Sequence, residues 1–425
     1  MGIRGMAQRL SWGLADQAVS SLTNFAVGIF VAHTLGITAF GIFSLAWVTY
    51  GVIINISRGL ATDPLVVRFS GVSHAAWRDA VGRSAGVALA VGLTTGAASV
   101  LIGMAIGGDL GWAFLALGFV LPALMLQDAW RFAFFAAGEG QRAFSNDMVW
   151  AIAMIPAMLL AMRDGSVVAF LLAWGLSAGV AALYGCVQTG MLPRLTGVSS
   201  WLYEQRDLGT RYMIENVSNS GSTQLRMYGL GAIAGLAAVG SVRGAELLMG
   251  PFMAVLMGLC FVAVPEAARV LRRDHRRLTS FCLWLGGGQA AGTLLWGLAL
   301  LVLVNDDLGH MVLGPTWHSA APLIIPATLS VANAGFINGA AAGLRALGDA
   351  RRSLRAMLIT SSAYVVFGLT GAVLGGALGS AWGAASATGL GAIVWWAQLR
   401  ISLSHYTPAP GADELALSSD ESRTP

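Results

Sequence analysis

Twelve runs of predominantly apolar residues recur along this chain, at approximately 11–32, 41–61, 84–106, 112–136, 147–162, 165–188, 213–237, 246–265, 280–304, 319–343, 356–375 and 380–400. A helix needs about 20 apolar residues to cross a hydrocarbon layer about 30 Å thick. The runs meet that need, the fifth being the shortest. Only 11% of the 425 residues are charged, while 56% are hydrophobic; a soluble domain is about 25% charged. So few charges could not solvate a globule of this size. A soluble enzyme is excluded, and an all-α polytopic membrane protein with about twelve transmembrane helices is expected. The first run follows Arg4 and Arg9 but is too long for a signal peptide, carries Asp16, Gln17 and Asn24, and lacks a small-residue cleavage pattern. It reads as an uncleaved span. Cys186, Cys260 and Cys282 lie inside apolar runs and read as small hydrophobes, not as a disulfide set.

Arginine orients the spans. All 25 Lys+Arg side chains are Arg, and 22 of them fall at the two termini and in the connections 2/3, 4/5, 6/7, 8/9 and 10/11 with their helix edges. The opposite connections hold Arg163 and Arg243, and Arg226 is mid-helix. By the positive-inside rule both termini are cytoplasmic, in an inner membrane. The block Arg269, Arg272, Arg273, Arg276 and Arg277 reads as a topology signal that attracts anionic headgroups, not as a nucleic-acid site.

The chain also repeats itself. A shift of 199 residues lays Asp16-Gln17 on Glu215-Asn216, Gly36 on Gly235 and Gly41 on Gly240. A shift of 201 pairs Pro64 with Pro265, and one of 210 pairs Gly138 with Gly348 and Glu139 with Asp349. Slowly drifting offsets are what small loop insertions produce. The expected organisation is a short cytoplasmic segment 1–10, an N-lobe 11–188, a cytoplasmic linker 189–212, a C-lobe 213–400 and a disordered polar tail 401–425. Each lobe has six spans, so the two share one orientation and are related by a pseudo-two-fold axis along the membrane normal. Parallel repeats of this kind place substrate between the lobes and work by alternating access.

The opening LADQAVSSLTNFAVGIFVAHTLGITAFGIFSLAW, together with GLAAVGSVRGAELLMGP, VLGPTWHSAAPLIIP and GLRALGDARRSLR, resembles the polysaccharide flippase branch of the multidrug/oligosaccharidyl-lipid/polysaccharide exporter superfamily. The resemblance covers roughly residues 10–400 and rests on diffuse glycine-turn patterns. It implies two six-helix bundles around a cavity and transport of a polyprenyl-diphosphate-linked oligosaccharide from the inner to the outer leaflet. Its implied partners are membrane lipids and a polysaccharide polymerase or glycosyltransferases, the protein itself being a monomer. Lipid II flippases of the superfamily often carry two more helices, and no thirteenth or fourteenth span is found here. Drug/cation antiporters share the twelve spans and use acidic membrane residues, which keeps that branch open through Asp16.

Ionisable groups inside spans cost about 2.5–3.5 kcal/mol each at mid-helix, so each needs a reason. Arg226 follows the polar stretch ENVSNSGSTQLR of span 7. It reads either as a contact for the diphosphate, whose oxygens match a guanidinium fork, or as a partner of an acidic residue on a neighbouring helix. Asn216, Asn219, Thr223 and Arg226 share one face of span 7, as Gln17, Ser20, Ser21 and Asn24 share one of span 1. Polar faces in spans must meet protein or water, so these two are expected to line a hydrated pathway. Arg226, Asn219, Thr223, Gln17 and Asn24 are the expected substrate contacts. The repeat mates Asp16 and Glu215 are expected either to gate or couple transport, or to cap their helix starts. Arg58 reads as a snorkelling side chain. Asp128 and Arg131 read as a neutralising pair three residues apart on one helix. Pro322 and Pro326 are expected to kink span 10, and Gly371 with Gly375 to form a close-packing face. There is no GxxxxGK[ST], HExxH or CxxC, so neither ATPase, metal site nor cofactor is expected. A membrane glycosyltransferase or polymerase would need a large catalytic loop, and the longest internal connection is the 6/7 linker.

Overall fold

The computed structural model describes the backbone of residues 3–70 and 72–406. It describes side chains over 19–70, 72–253 and 263–406, except Glu215, Asn219 and Pro265. Among these residues the long elements are all helices: α1 (Ile3–Thr34), α2 (Ile37–Ser57), α3 (His74–Ile106), α4 (Gly108–Ala137), α5 (Gly140–Asp164), α6 (Val167–Thr189), α7 (Arg206–Ala234), α8 (Leu236–Arg273), α9 (Leu278–Leu303) and α10 (Ile324–Ala346). The continuous stretch Ala350–Ser404 supplies α11 and α12, because the chain leaves helical geometry at Gly375 and Gly376 and folds back there. Each expected span thus corresponds to a helix. Among the described residues, eight helical segments, the doubled last one included, are long and apolar enough to cross a membrane. The expected disordered tail 401–425 overlaps the end of α12, which stays helical to Ser404, and its residues beyond 406 lie outside the described residues.

The helices gather into two compact units, Met1–Gly244 with Gly309–Trp317, and Ala245–Leu308 with His318–Pro425. Small residues set the packing inside each. In the first, a methyl on Gly96 of α3 would lie 2.5 Å from the Gly118 carbonyl of α4, and one on Gly103 would lie 2.6 Å from that of Gly111. In the second, Gly339 of α10 meets the Cys282 carbonyl of α9 in the same way at 2.3 Å. Apolar lipid gives helices no hydrophobic reason to associate, so close backbone approach of this kind supplies the attraction.

Repeat mates share local geometry. Gly138 and Gly348 both take left-handed conformations, with φ of 74° and 72°. The amides that follow them donate to carbonyls five residues back, Glu139 to Phe134 and Asp349 to Leu344. Arg142 then pairs with Glu139 as Arg352 pairs with Asp349. The Arg352 guanidinium, helped by the Arg352 amide and Ser402, holds the Asp349 carboxyl below its ordinary range.

Three expectations are corrected here. Pro322 lies in a 3-10 turn (Ala321–Leu323) and Pro326 in the first turn of α10, where no amide is needed. They start the helix instead of kinking its middle. Gly375 belongs to the α11–α12 turn, and Gly371 packs against Gly379, whose carbonyl would be 2.1 Å from a methyl there. The 6/7 connection is not a plain linker: it contains a helix, Val198–Glu204, and α7 begins at Arg206.

Candidate functional site

The first unit encloses a charged network that no single helix could build. Between Arg58 and Thr62, α2 passes through a π-helical turn, with the Asp63 amide bonding the Arg58 carbonyl five residues back, before continuing as Asp63–Phe69. Such turns insert one residue into a helix and re-aim the side chains around them. Arg58 is directed at Asp128 of α4, donating from Nε and Nη2 at 3.0 and 2.8 Å, and its guanidinium lies 5.1 Å from the Phe132 ring centroid. The Arg58 side chain is 30% exposed, that of Asp128 6%.

One helical turn further along α4, Arg131 pairs with Asp147 of α5 at 3.5 Å. Gln127 donates to the other Asp147 oxygen at 2.8 Å and to Asn146 at 3.3 Å. Asn146 in turn donates to the Ala181 carbonyl and to Gln188 of α6. An aromatic group flanks this network: Trp47 stacks on Trp174 at 4.8 Å, and Tyr50 meets Trp174 edge-on at 4.7 Å. Isolated buried charges would neutralise themselves; here two arginines and two carboxylates balance, and the Gln127 amide meets one Asp147 oxygen.

This overturns two readings. Asp128 and Arg131 do not neutralise each other, although three residues apart: each points to a different neighbouring helix. Arg58 does not snorkel to an interface, because a carboxylate inside the bundle holds it. Asp147, Gln127, Asn146 and Gln188 were missed. Their signal was a cluster of polar residues, Gln127, Asp128 and Arg131, in an otherwise apolar span, matched by Asn146-Asp147 at the edge of the next.

A seam of polar contacts joins α2 to α7 beside the network. Asn55 donates to Ser220 at 3.0 Å, Thr49 and Tyr228 share a hydrogen bond of 2.8 Å, and Asn216 donates to Asp63 at 2.7 Å. Of the residues expected to contact substrate, Arg226 is enclosed at 2% exposure and engaged within the protein, Thr223 is exposed and Asn24 half-buried. The expected polar face of α7 is therefore divided: Asn216 bonds α2, Thr223 is open and Arg226 is covered. The side chains of Asp16, Gln17, Glu215 and Asn219 lie outside the described residues.

At the far end of the same seam two repeat mates meet. A methyl on Gly41 of α2 would lie 1.8 Å from the Leu236 carbonyl oxygen, and one on Gly240 of α8 would lie 2.3 Å from that of Ile37. The contact is reciprocal, since Ile37 and Leu236 are themselves 199 positions apart. It closes the helix ends opposite the arginine-rich connections.

No protein-family model matches the sequence, and no curated protein matches it significantly. Solved structures do share its fold. An inward-facing conformation of a multidrug resistance MATE family transporter of the MOP superfamily is similar over 93% of this chain and 97% of its own, at 16% identity and a TM-score of 0.70. Lipid II flippase MurJ, in an inward closed conformation, is similar over 95% of this chain and 90% of its own, at 11% identity and a TM-score of 0.68. An outward-facing MATE family transporter covers 94% of this chain and 95% of its own, at 16% identity and a TM-score of 0.54. The chain has the fold on which these transporters are built.

Proposed function

We propose that the chain is a membrane transporter that carries polyprenyl-diphosphate-linked oligosaccharide from the inner to the outer leaflet by alternating access. The observation that carries this reading is the Arg58–Asp128 fork. A guanidinium bound bidentately by a carboxylate presents the same two donors that a phosphate accepts, and Arg58 is the more accessible, half-buried member of its pair. Asp128 acts as a resident surrogate, which the diphosphate displaces. The fold shared with a lipid II flippase supports the assignment.

Arg226 makes a second contact, reached when α7 moves and uncovers it. Asn219, Thr223, Gln17 and Asn24 supply neutral donors and acceptors for saccharide, and Asp16 and Glu215 couple or gate the cycle. Both termini are cytoplasmic. Cysteine-accessibility mapping should place residues near Arg273 and Arg352 inside, and Asp109, Asp164 and Asp306 outside. Asp306 and Arg352 on one side would break the twelve-span topology.

A drug/cation antiporter is the second reading, favoured by the buried carboxylates of Asp128 and Asp147 and by the shared MATE fold. Saccharide-lipid delivery and drug resistance, measured in the same cells, separate the two. Under the flippase reading Arg226→Ala abolishes delivery at normal abundance, while Arg226→Lys and Arg58→Lys keep part of it, since charge survives but the fork does not. A cationic drug gains from losing either arginine. Normal delivery by Arg226→Ala would remove Arg226 from the path, and raised drug resistance with undiminished delivery would favour the antiporter.

A further inference from the structure

The π-helical turn that presents Arg58 is hydrogen-bonded to the 6/7 connection through the Leu60 carbonyl. In an α-helical register, the Leu60 carbonyl would accept from the amide of residue 64. That residue is Pro64, which has none. The Trp201 indole donates to this carbonyl instead, from Nε1 at 3.0 Å. The next carbonyl, that of Ala61, accepts from Ser84 at 2.9 Å. The turn is thus held partly by donors from outside its own helix, as a backbone that has left the regular ladder requires.

Trp201 itself is held fixed. It is 0% exposed, stacks on Phe69 at 5.6 Å, and lies under the Arg83 guanidinium at 5.7 Å. Arg83 is anchored in turn to Glu204 at 2.8 Å and Asp79 at 2.9 Å. The connection lies tight on α3: the Arg194 amide donates to the Gly82 carbonyl at 2.8 Å, and a methyl on Gly86 would lie 2.2 Å from the Arg194 carbonyl. On the other side Arg68 donates to Gln205 at 2.7 Å and to the Glu204 carbonyl at 3.2 Å. An indole so enclosed is a fixed donor, and the backbone it meets begins two residues from Arg58.

We infer that Trp201 is a positioning residue for Arg58: its indole N–H replaces the amide that Pro64 lacks, and so sets the π-helical turn that aims the Arg58 guanidinium at Asp128. The connection between the two halves of the chain thereby controls how that guanidinium is presented. The role assigned to Arg58 rests on the diphosphate reading; the control of the turn does not.

The test swaps the donor. Trp201→Phe keeps an aromatic ring in the stack and removes three ring atoms, the N–H among them; Pro64→Ala supplies an amide at the missing place, so that rescue separates the lost donor from the lost packing. In the full chain in lipid nanodiscs, Trp201→Phe should speed amide hydrogen exchange over residues 59–66 by about fivefold, the loss of one ordinary hydrogen bond, and leave α9 unchanged. Adding Pro64→Ala to Trp201→Phe should return the exchange to near the wild-type rate. A role in packing alone predicts no such rescue, because Pro64→Ala removes ring atoms and adds none. The second readout is binding of undecaprenyl diphosphate to the same nanodiscs, expected to weaken by about fivefold in Trp201→Phe and to recover in the double variant. Unchanged exchange in Trp201→Phe, or acceleration that Pro64→Ala does not reverse, overturns the inference. Exchange that responds while diphosphate affinity does not overturns the link to Arg58. If undecaprenyl diphosphate fails to bind even the wild-type chain, the diphosphate reading falls, and the exchange measurements still decide the role of Trp201.

Discussion

Arg58→Met is expected to destabilise the protein by about 3–5 kcal/mol, because it strands a carboxylate inside the bundle. The Asp128 side chain is 6% exposed and loses both of its guanidinium hydrogen bonds at once. Asp128→Leu should cost less, since Arg58 is 30% exposed and its long side chain can turn toward water. The double variant should recover most of the loss, as replacement of a whole ion pair by apolar side chains commonly does. Thermal unfolding in detergent of the wild type, both single variants and the double variant gives the coupling directly. Equal costs for the two single variants, or additive costs in the double, would contradict the paired arrangement. The double variant should nevertheless fail to deliver saccharide-lipid, because its stability returns without the anion contact.

The second large effect is steric. Gly41→Val and Gly240→Val each drive a branched side chain into a backbone carbonyl that even a single methyl would meet at 1.8 or 2.3 Å. Overpacking of this kind costs about 1–3 kcal/mol where neighbours can yield, and helix backbone yields little. The helix ends should be forced apart, transport should fall nearly to zero, and the two variants should behave alike because the contact is reciprocal. Spin labels on Gly36→Cys and Ala232→Cys report the separation: Gly36 has open space around it and Ala232 is exposed. A separation unchanged by either valine, with transport intact, would show that this contact does not close the pathway. Gly41→Ala should give the same direction at smaller amplitude.

Why the sequence foresaw some of this and not the rest is visible in particular residues. The length of a span follows from the thickness of hydrocarbon and the rise of a helix, both independent of neighbours, so the twelve helices were legible from apolar runs alone. The duplication was legible too: turns such as those at Gly138 and Gly348 need a residue tolerant of left-handed backbone, and that demand leaves glycine at matching places in each half.

Charge pairing was not legible. Asp128 and Arg131 stand three apart on one helix, the spacing at which neighbours on a surface meet, yet each pairs with a side chain on another helix. Which helices adjoin is settled only when small residues such as Gly96 and Gly118 let backbones close, and no one-dimensional spacing encodes that. Pro64 shows the division within one residue. The sequence by itself determined that the Leu60 carbonyl would lack its amide, since proline has none in any fold. Only the tertiary structure decided that an indole 137 positions further along the chain, at Trp201, would supply the proton, because a hydrogen bond needs two atoms brought within about 3 Å and folding alone brings them there.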